Sequence, residues 1–541
     1  ILGAKNIKNY GNLKFSNIKT DLNKKLDQRT DIYALGLIIH QMLSGENPYN
    51  GSYTTKEELD DCIMKYPLTK IKDLYPGFQN PSDYRFQEIV DKKDTIILFY
   101  LFTFSCNSQE NIVVDPINPN LFGFNTSNTF TYCDVNDTSF TNKVQKIKPN
   151  VLRFPGGTIS NFYHYDEKAY GLDISEISDW DVQKFTKRYN GLIKEQKKRN
   201  HNHNYIDDFI LLAKQNNSKV VLVANIISSE DEEIINMIKR FKSENIEILG
   251  VELGSELSNR AYKKYINSVE DYIQLAQKYS NIIKKKYPEI KVGVVAAPIK
   301  YNMPNRLRNW NQKLSEETFY DAIIHHSYLK VIDGDDDYGL MTREDEVSST
   351  RKEQFELYKK RIITYFNTGF IKKIIEYQEI FEQEIWITEW NLQMSKTTGN
   401  TMLQSLFVTQ YFLELLSNPD LQNISIAIYH NLAGRTVSGS VFMGGRRKDG
   451  FDIHSTYYPL TFFSKIFEND IVSIDTSIKD EIFSYYCFDS KGILKISFEI
   501  NWETNEFIFS KNIGAELVDV TKYFSKDLFD VPNTEGNYKQ K

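Results

Sequence analysis

Short apolar runs rich in β-branched residues alternate with longer stretches of helical periodicity from about residue 111 onward. Continuous apolar runs that alternate with helices are typical of buried parallel strands. Eight such runs within about 340 residues predict a closed (β/α)8 barrel over residues 111–468. The runs occupy residues 120–125, 150–157, 219–226, 248–256, 291–297, 321–328, 384–391 and 425–432. An open, doubly wound sheet is the alternative, although no G-x-G-x-x-G motif follows any of the runs.

The pattern changes after "STYYPLTFFSKIFE" (residues 455–468), which predicts the last helix of the barrel. Apolar and polar positions then alternate with a period of two in "IFSYYCFDSKGILKISFEINWETNEFIFS". Within it, "DSKG" and "ETNE" are typical of turns between antiparallel strands. We therefore expect a β-rich accessory domain at residues 469–541, antiparallel and sandwich-like.

The first 92 residues have a mostly helical pattern of their own. In "LDQRTDIYALGLIIHQMLSGENPYNG" (residues 26–51), Asp31, Tyr33 and Gly36 match a D-x-[WY]-x-x-G spacing at the start of an apolar helix. This segment resembles part of a protein-kinase C-lobe. Because the glycine-rich loop, the strand lysine, H-R-D and D-F-G do not occur in it, nothing there would hold ATP or magnesium. We interpret residues 1–92 as a kinase-like fragment without catalytic motifs.

The apolar run "TIILFYLFTFSC" (residues 95–106) follows two lysines and ends in Ser105 and Cys106. It is too short to span a bilayer, which needs about 20 residues. The pattern is typical of a bacterial lipoprotein export signal, in which Cys106 would carry the lipid. We expect residues 93–110 to direct export to the periplasm or outer surface, with membrane contact only through that anchor. A buried strand or helix is the alternative.

Composition excludes several classes of protein. The chain has 541 residues, and its 41% hydrophobic and 13% aromatic content supports large packed cores rather than disorder. A formal net charge of −6 gives no reason to expect nucleic acid as a partner. The four cysteines are widely spaced, and His201 and His203 in "NHNHNY" fit a polar loop better than a metal site. We predict no metal and no cofactor.

Polar residues stand at the ends of several predicted strands. In a (β/α)8 barrel the carboxyl ends of the strands carry the active site. Burying such a ring of polar groups unpaired would cost several kcal/mol, so we expect it to face a cleft. The residues are Arg153, Asn225, Glu256, His326, Tyr328, Glu389, His430 and Asn431.

Two carboxylates of this ring, Glu256 after the fourth strand and Glu389 on the seventh, are predicted to face each other across the barrel mouth. Such a pair is the apparatus of a retaining glycosidase. One carboxylate attacks the anomeric carbon, and the other gives a proton to the leaving oxygen. Glu252 lies inside the fourth strand, so we expect it to have a structural role.

Four motifs, "VLRFPGG", "VELGSE", "HHSY" and "ITEWN", occur in the strand order of clan A of the glycoside hydrolases. Residues 111–530 resemble its arabinofuranosidase-like, β-xylosidase-like and heparanase-like (β-glucuronidase) families. The resemblance implies that Glu256 is the acid/base, Glu389 the nucleophile and Arg153 the arginine beside it. Arg153 would keep Glu389 ionised, and the negative Glu389 would favour the protonated acid/base.

The resemblance also suggests how the substrate is held. Tyr328 would bond Glu389, His326 would line the sugar subsite, and Trp390 would offer an apolar face to the sugar ring unless it is a core tryptophan. Asn225, His430 and Asn431 complete the expected substrate-binding set. The expected substrate is a plant, algal or glycosaminoglycan-type polysaccharide or oligosaccharide, cleaved in exo or endo fashion.

Ser255 departs from the clan pattern, which typically has asparagine before the acid/base to bond the sugar 2-hydroxyl. Serine is shorter and has one donor instead of two. Either the substrate differs at C2, a water fills the gap, or activity is reduced. Ser255 motivates an alternative hypothesis of a carbohydrate-binding protein on a degraded barrel. A third hypothesis is a pseudokinase fusion for signalling.

Two loops carry charge near the predicted mouth. "DGDDDYGLMTRE" (residues 333–344) has EF-hand-like acidic offsets, but Tyr338 stands where that loop needs glycine. We therefore expect an acidic loop over the cleft rather than a calcium site. "SGSVFMGGRRKDG" (residues 438–450) contains Arg446 and Arg447, which would either meet an anionic sugar or remain solvated.

Overall fold

The computed structural model describes residues 116–530, apart from 166, 180–182, 200, 300–303, 333–348, 436–438, 445–449 and 514–515. The kinase-like fragment and the export-like segment with Cys106 lie outside the described residues. The acidic loop at residues 333–344 and the pair Arg446 and Arg447 lie outside them as well.

Eight parallel strands close into a barrel in sequence order, because β8 pairs with β1. Each strand falls on one of the eight predicted apolar runs, so the predicted (β/α)8 barrel is confirmed and the open sheet is wrong. The strands are β1 (Gly123–Asn125), β2 (Val151–Phe154), β3 (Lys219–Ala224), β4 (Ile248–Leu253), β5 (Lys291–Val295), β6 (Ala322–Leu329), β7 (Glu384–Leu392) and β8 (Ile424–Tyr429).

Helices connect the strands and cover the outside of the barrel. They are α1 (Thr129–Tyr132), α2 (Thr138–Ile147), α3 (Ile174–Asp179), α4 (Gln183–Lys198), α5 (Tyr205–Asn216), α6 (Asp231–Ser243), α7 (Val269–Lys286), α8 (Trp310–Ser315), α9 (Arg351–Thr364), α10 (Phe370–Gln378), α11 (Met402–Ser417) and α12 (Tyr457–Glu468). α12 falls on the helix predicted at residues 455–468.

The helix α7 shows how the chain fixes the end of β4. It begins at a capping box of Ser268 and Asp271. The buried Tyr272 hydroxyl donates to the Leu253 carbonyl at 3.0 Å and accepts from the Val295 amide at 2.7 Å. The last residues of β4 and β5 are thus held together directly below the turn that carries Glu256.

The barrel interior is filled by Trp386 of β7 together with smaller apolar side chains. A Cβ at Gly250 would lie 2.2 Å from Trp386 Cη2, and one at Gly293 would lie 2.9 Å from Trp386 Cε3. The strands β4 and β5 therefore both need glycine to leave space for the indole that crosses the barrel interior from β7. These side chains make the barrel interior a packed apolar core.

The chain after α12 forms a five-stranded antiparallel sheet in the order β12 (Ile471–Lys479), β13 (Ile482–Asp489), β14 (Leu494–Asn501), β15 (Glu506–Ile513) and β16 (Glu516–Phe524). The antiparallel prediction is confirmed, but within the described residues the sheet packs on helices rather than on a second sheet. Phe462 of α12 stacks on Phe509, and Trp502 Nε1 donates to Gln410 of α11 at 2.7 Å.

A small sheet of β9 (Ala433–Gly434), β10 (Phe442–Gly444) and β11 (Phe451–Ile453) lies between β8 and α12. No helix among the described residues combines the length and the apolar composition needed to cross a membrane.

Candidate active site

The carboxyl ends of the barrel strands bring polar side chains from six strands to one mouth. Glu389 of β7 is the centre of this group and is buried, with a side chain that is 6% exposed. Three groups donate to its carboxyl: Asn125 Nδ2 at 3.1 Å, Arg153 Nη1 at 2.8 Å and the Tyr328 hydroxyl at 2.7 Å. Such a carboxyl is equipped to stay ionised.

The electrostatics of Glu389 follow from these neighbours. Burial by itself raises the pKa of the carboxyl, but the charges of His326, His430 and Arg153 and the hydrogen bond from Tyr328 outweigh it. The pKa of Glu389 therefore lies well below its usual range. Burial in turn keeps the pKa of His430 below its usual value despite the charge of Glu389.

Arg153 of β2 is fully buried and binds a second carboxylate besides Glu389. Its Nε and Nη2 donate to the two oxygens of Glu252 at 2.6 and 2.7 Å. Glu252 is completely buried within β4 and also accepts a bond from the Thr388 hydroxyl at 3.3 Å. One guanidinium thus bonds two carboxylates, and Glu252 orients the arginine that contacts Glu389.

Glu256 reaches the mouth because of the turn after β4. Gly254 has φ +81°, a region that glycine adopts without cost, and Glu256 itself has φ +53°. Asn161 clamps the peptide between them, because its Oδ1 accepts from the Ser255 amide at 2.8 Å and its Nδ2 donates to the Ser255 carbonyl at 2.7 Å. The Glu256 side chain is 36% exposed, in contrast to Glu389.

His326 of β6 lies between the two glutamates. Its Nδ1 is 3.0 Å from Glu256 Oε1 and 3.6 Å from Glu389 Oε2. One oxygen of each carboxyl and a nitrogen of His326 all lie within 4.8 Å of one another. Burial lowers the pKa of His326, but the charge of Glu389 and the hydrogen bond to Glu256 raise it above the ordinary value.

The same three side chains could also hold a metal ion, since each offers one ligand atom. In the structure their polar atoms are already engaged with one another and with Arg153, Tyr328 and Asn125. The three side chains thus belong to one hydrogen-bonded cluster at the barrel mouth. His201 and His203 bond Tyr205 and Asp208 at the start of α5, as parts of a local loop.

The structure brings together six of the predicted residues: Arg153, Glu256, His326, Tyr328, Glu389 and His430. Trp390 is a correction, because it is 1% exposed and stacks on Tyr411 at 4.5 Å with an interplanar angle of 6°. It faces the outer helix α11 and offers no face to a sugar. Neighbours on a strand point to opposite sides, so the inward Glu389 requires an outward Trp390.

Asn225 is a second correction, because its amide is used inside the loop after β3. Its Oδ1 accepts from the amides of Ile227 and Ser228, and its Nδ2 donates to Ser228 Oγ at 3.0 Å. Asn431 turns toward Ser127, to which its Nδ2 donates at 3.2 Å. Asn225 thus stabilises its own loop, whereas the substrate contact expected of Asn431 stays a prediction.

Ser255 is fully buried, with its Oγ 3.5 Å from Arg153 Nη2.

Sequence reasoning missed three polar residues of the site: Asn125, Asn161 and Thr388. Asn125 ends β1 as the other site residues end their strands, so the same rule could have found it. Asn161 and Thr388 carry no such signal, because they lie in a turn and at an irregularity of β7.

Comparison with solved structures finds similar folds. A family 51 α-L-arabinofuranosidase from Bifidobacterium longum matches with a TM-score of 0.54 and 11% identity, over 79% of this chain and 92% of that chain. A GH51 arabinofuranosidase from Xanthomonas axonopodis pv. citri matches with a TM-score of 0.48 and 10% identity, over 74% and 83%. An α-L-arabinofuranosidase from Thermotoga maritima matches with a TM-score of 0.47 and 15% identity, over 79% of this chain and 92% of that chain.

At this identity the likeness concerns the fold. The fold is the one expected from the motifs that resemble clan A glycoside hydrolases, so that expectation is confirmed at the level of architecture. No protein-family model and no curated protein matches the sequence.

Proposed function

We propose that the protein is a retaining glycoside hydrolase with Glu389 as nucleophile and Glu256 as acid/base. One observation carries the proposal: an oxygen of each carboxyl lies within 4.8 Å of the other across the barrel mouth. Retaining enzymes hold their two carboxyls about 5–5.5 Å apart, whereas inverting enzymes need roughly 6.5–9.5 Å for an intervening water. The short separation favours direct attack by one carboxylate.

The unequal surroundings of the two glutamates support their roles. Glu389 is buried, receives three hydrogen bonds and has a lowered pKa, so it is ionised and ready to attack. Glu256 is one-third exposed and contacts His326, so it can exchange a proton with a leaving group or with water. The likeness in fold to a glycoside hydrolase supports the same assignment.

The reaction then follows two balanced steps. Glu389 Oε forms a bond to the anomeric carbon while the bond to the leaving oxygen breaks, and Glu256 gives its proton to that oxygen. In the second step Glu256 takes a proton from water, the water oxygen bonds the anomeric carbon, and Glu389 is released. Arg153 and Tyr328 hold Glu389 through both steps, since they contact different oxygens of its carboxyl.

The proposed substrate is an O-glycoside of a plant, algal or glycosaminoglycan-type oligosaccharide or polysaccharide. A panel of aryl glycosides would test it on the full chain, beginning with an α-L-arabinofuranoside because the solved structure at TM-score 0.54 is an α-L-arabinofuranosidase. The configuration of the first product, read by NMR, is expected to equal that of the substrate. An inverted product would overturn the mechanism.

Variants of the two glutamates provide a second test of the proposed function. Glu389→Ala and Glu256→Ala are each expected to lower kcat by several orders of magnitude. With an activated aryl glycoside and azide, Glu256→Ala is expected to give a glycosyl azide of retained configuration, whereas Glu389→Ala is expected to give one of inverted configuration. Glu384→Ala and Glu247→Ala are matched controls, because these residues flank the opposite, amino ends of the same two strands. Wild-type rates in both catalytic variants would refute the proposal.

The alternative, a carbohydrate-binding barrel without turnover, is motivated by Ser255. This residue is buried against Arg153 and projects no amide into the mouth. Oligosaccharide binding measured by calorimetry, in the absence of hydrolysis of any aryl glycoside, would favour this alternative over the enzyme.

Export as a lipoprotein is a separate part of the proposal and rests on the sequence of residues 93–110 alone. Labelling of the full chain with radioactive palmitate in a bacterial host is expected, and Cys106→Ala is expected to abolish it. Labelling that persists in Cys106→Ala would contradict lipidation at this residue.

A further inference from the structure

The strand β7 contains one extra residue beside the nucleophile. In the pairing of β6 with β7, His325 lies opposite Ile387 and His326 lies opposite Glu389, so Thr388 has no counterpart. The pairing with β8 also advances by three residues on β7, from Ile387 to Trp390, against two on β8. This irregularity is a β-bulge, a device that redirects side chains next to active sites.

The bulge lets two consecutive side chains face the barrel axis. Residues of a regular strand alternate between its two faces, so Thr388 would point outward if Glu389 points inward. Instead Thr388 Oγ1 lies 3.3 Å from Glu252 Oε2 and 3.3 Å from His326 Nε2. The hydroxyl is fully buried and bridges a carboxylate and an imidazole.

The direction of each hydrogen bond in this bridge follows from the partners. Glu252 accepts two guanidinium N–H bonds from Arg153, so it acts as a carboxylate and can only accept from the Thr388 hydroxyl. With its hydrogen used on Glu252, Thr388 Oγ1 can only accept from His326. The bridge therefore places a proton on His326 Nε2.

That assignment leaves Nδ1 of His326 as the atom that gains or loses a proton. Nδ1 faces Glu256 Oε1 at 3.0 Å. Two arrangements fit this contact. Either Nδ1 carries no proton and accepts a hydrogen bond from a protonated Glu256, or an Nδ1–H donates to the Glu256 carboxylate. The two arrangements differ only in whether the shared proton is on Glu256 or on His326.

We propose that Thr388, held by Glu252, is a positioning residue that fixes the tautomer of His326 and so reserves Nδ1 for proton exchange with Glu256. This inference rests on the proposed function of Glu256 as acid/base. Neither Thr388 nor Glu252 contacts the reacting atoms. Without the bridge, a neutral His326 could carry its proton on Nδ1 and donate to Glu256, which would favour the carboxylate form of the acid.

The pH dependence of His326 involves every charged group around it. These are Glu256 beyond β4, Glu389 of β7, Arg153 of β2, His325 of its own strand and His430 directly after β8. Replacing Thr388 leaves the formal charges of all these groups in place. A change in the pH profile of a Thr388 variant would therefore report the hydrogen bond and not a lost charge.

The test compares Thr388→Val, which keeps the shape and removes the hydroxyl, with Thr388→Ser, which keeps the hydroxyl. In the full chain, the alkaline limb of the kcat/KM profile is expected to move to lower pH by about one unit in Thr388→Val, the difference that one hydrogen bond makes. Thr388→Ser is expected to retain the wild-type profile. Coincident profiles in the two variants would overturn the inference.

A measurement on the resting wild-type protein needs no activity and no variant of Thr388. Nitrogen-15 NMR of histidine-labelled protein distinguishes the two neutral tautomers, and His326→Gln identifies the signal. The expected result is a proton on Nε2 at high pH, and a proton on Nδ1 would overturn the inference. Absence of glycosidase activity would refute the proposed function. The tautomer measurement would still decide whether the Thr388 hydroxyl bridges Glu252 and His326 as inferred.

Discussion

Arg153 Nη1 lies 2.8 Å from Glu389 Oε1 in a region where the guanidinium is fully buried and the carboxyl is 6% exposed. The same guanidinium forms two further bonds to the buried Glu252. The charges of these carboxylates hold the pKa of Arg153 above its already high value, against the effect of burial. Arg153 is therefore a permanent cation on which the polar layer of the barrel depends.

We predict that Arg153→Met lowers the free energy of unfolding by about 3–5 kcal/mol, because it leaves two buried carboxylates without their partner. Urea denaturation measures the change. Arg240→Met is the control, because Arg240 bonds carboxylates at the protein surface, where ion pairs contribute little. Equal losses in the two variants would show that Arg153 does not have this role.

Tyr328→Phe removes one donor from Glu389 and leaves its charge partners in place. We expect the pKa of Glu389 to rise, because a hydrogen bond to the charged form is lost. Since the nucleophile must be ionised, the acid limb of the kcat/KM profile should move to higher pH, with kcat reduced by about 10-fold or more. Tyr320→Phe, which loses a buried hydroxyl bond to the Leu314 carbonyl, should leave the profile unchanged.

The barrel and the approach of Glu256 to Glu389 at its mouth were predictable for physical reasons. Parallel strands covered on both faces must be apolar throughout, so each strand appears as an uninterrupted run, as in "KVVLVA" for β3. Carboxylates are rarely placed at the end of such a run without a purpose. The sequence alone therefore indicates Glu256 and Glu389 as candidate functional residues.

The orientation of side chains around that pair was less predictable. Trp390 could have been placed correctly by strand alternation, and Asn225 by the serines that follow it, because asparagine commonly bonds backbone amides two residues on. The bulge at Thr388 could not have been predicted from the sequence, because it depends on how β7 pairs with both neighbouring strands. The kinase-like fragment at residues 1–92 and the export-like segment at residues 93–110 remain predictions from the sequence.

Two glycines offer opposite tests of packing. We predict that Gly250→Ala lowers the free energy of unfolding by about 1–3 kcal/mol, because its Cβ would lie 2.2 Å from the Trp386 ring. Gly191→Ala in α4 should raise it by about 0.5–1 kcal/mol, because no atom lies within 4 Å of its Cβ and alanine favours helix. Thermal or urea unfolding of both variants checks the signs.

His164 provides the last test, because it joins the loop before α3 to α6 through Glu176 and Glu233 at 2.9 and 3.0 Å. The hydrogen bond to Glu176, then that to Glu233, raise the pKa of His164 to about 10 against the effect of burial. Its stabilisation is therefore complete below the unfolded value of about 6.5 and is lost as the pH rises toward 10.

His164→Gln should accordingly lower the free energy of unfolding on the order of 2 kcal/mol at pH 6 and far less at pH 10. The difference between wild type and variant removes the contribution of lysines and tyrosines that titrate in the same range. His203→Gln is the control, because His203 is 46% exposed and bonds a single carboxylate, so its effect should be smaller. A difference between wild type and His164→Gln that stays constant from pH 6 to pH 10 would show that folding does not raise the pKa of His164.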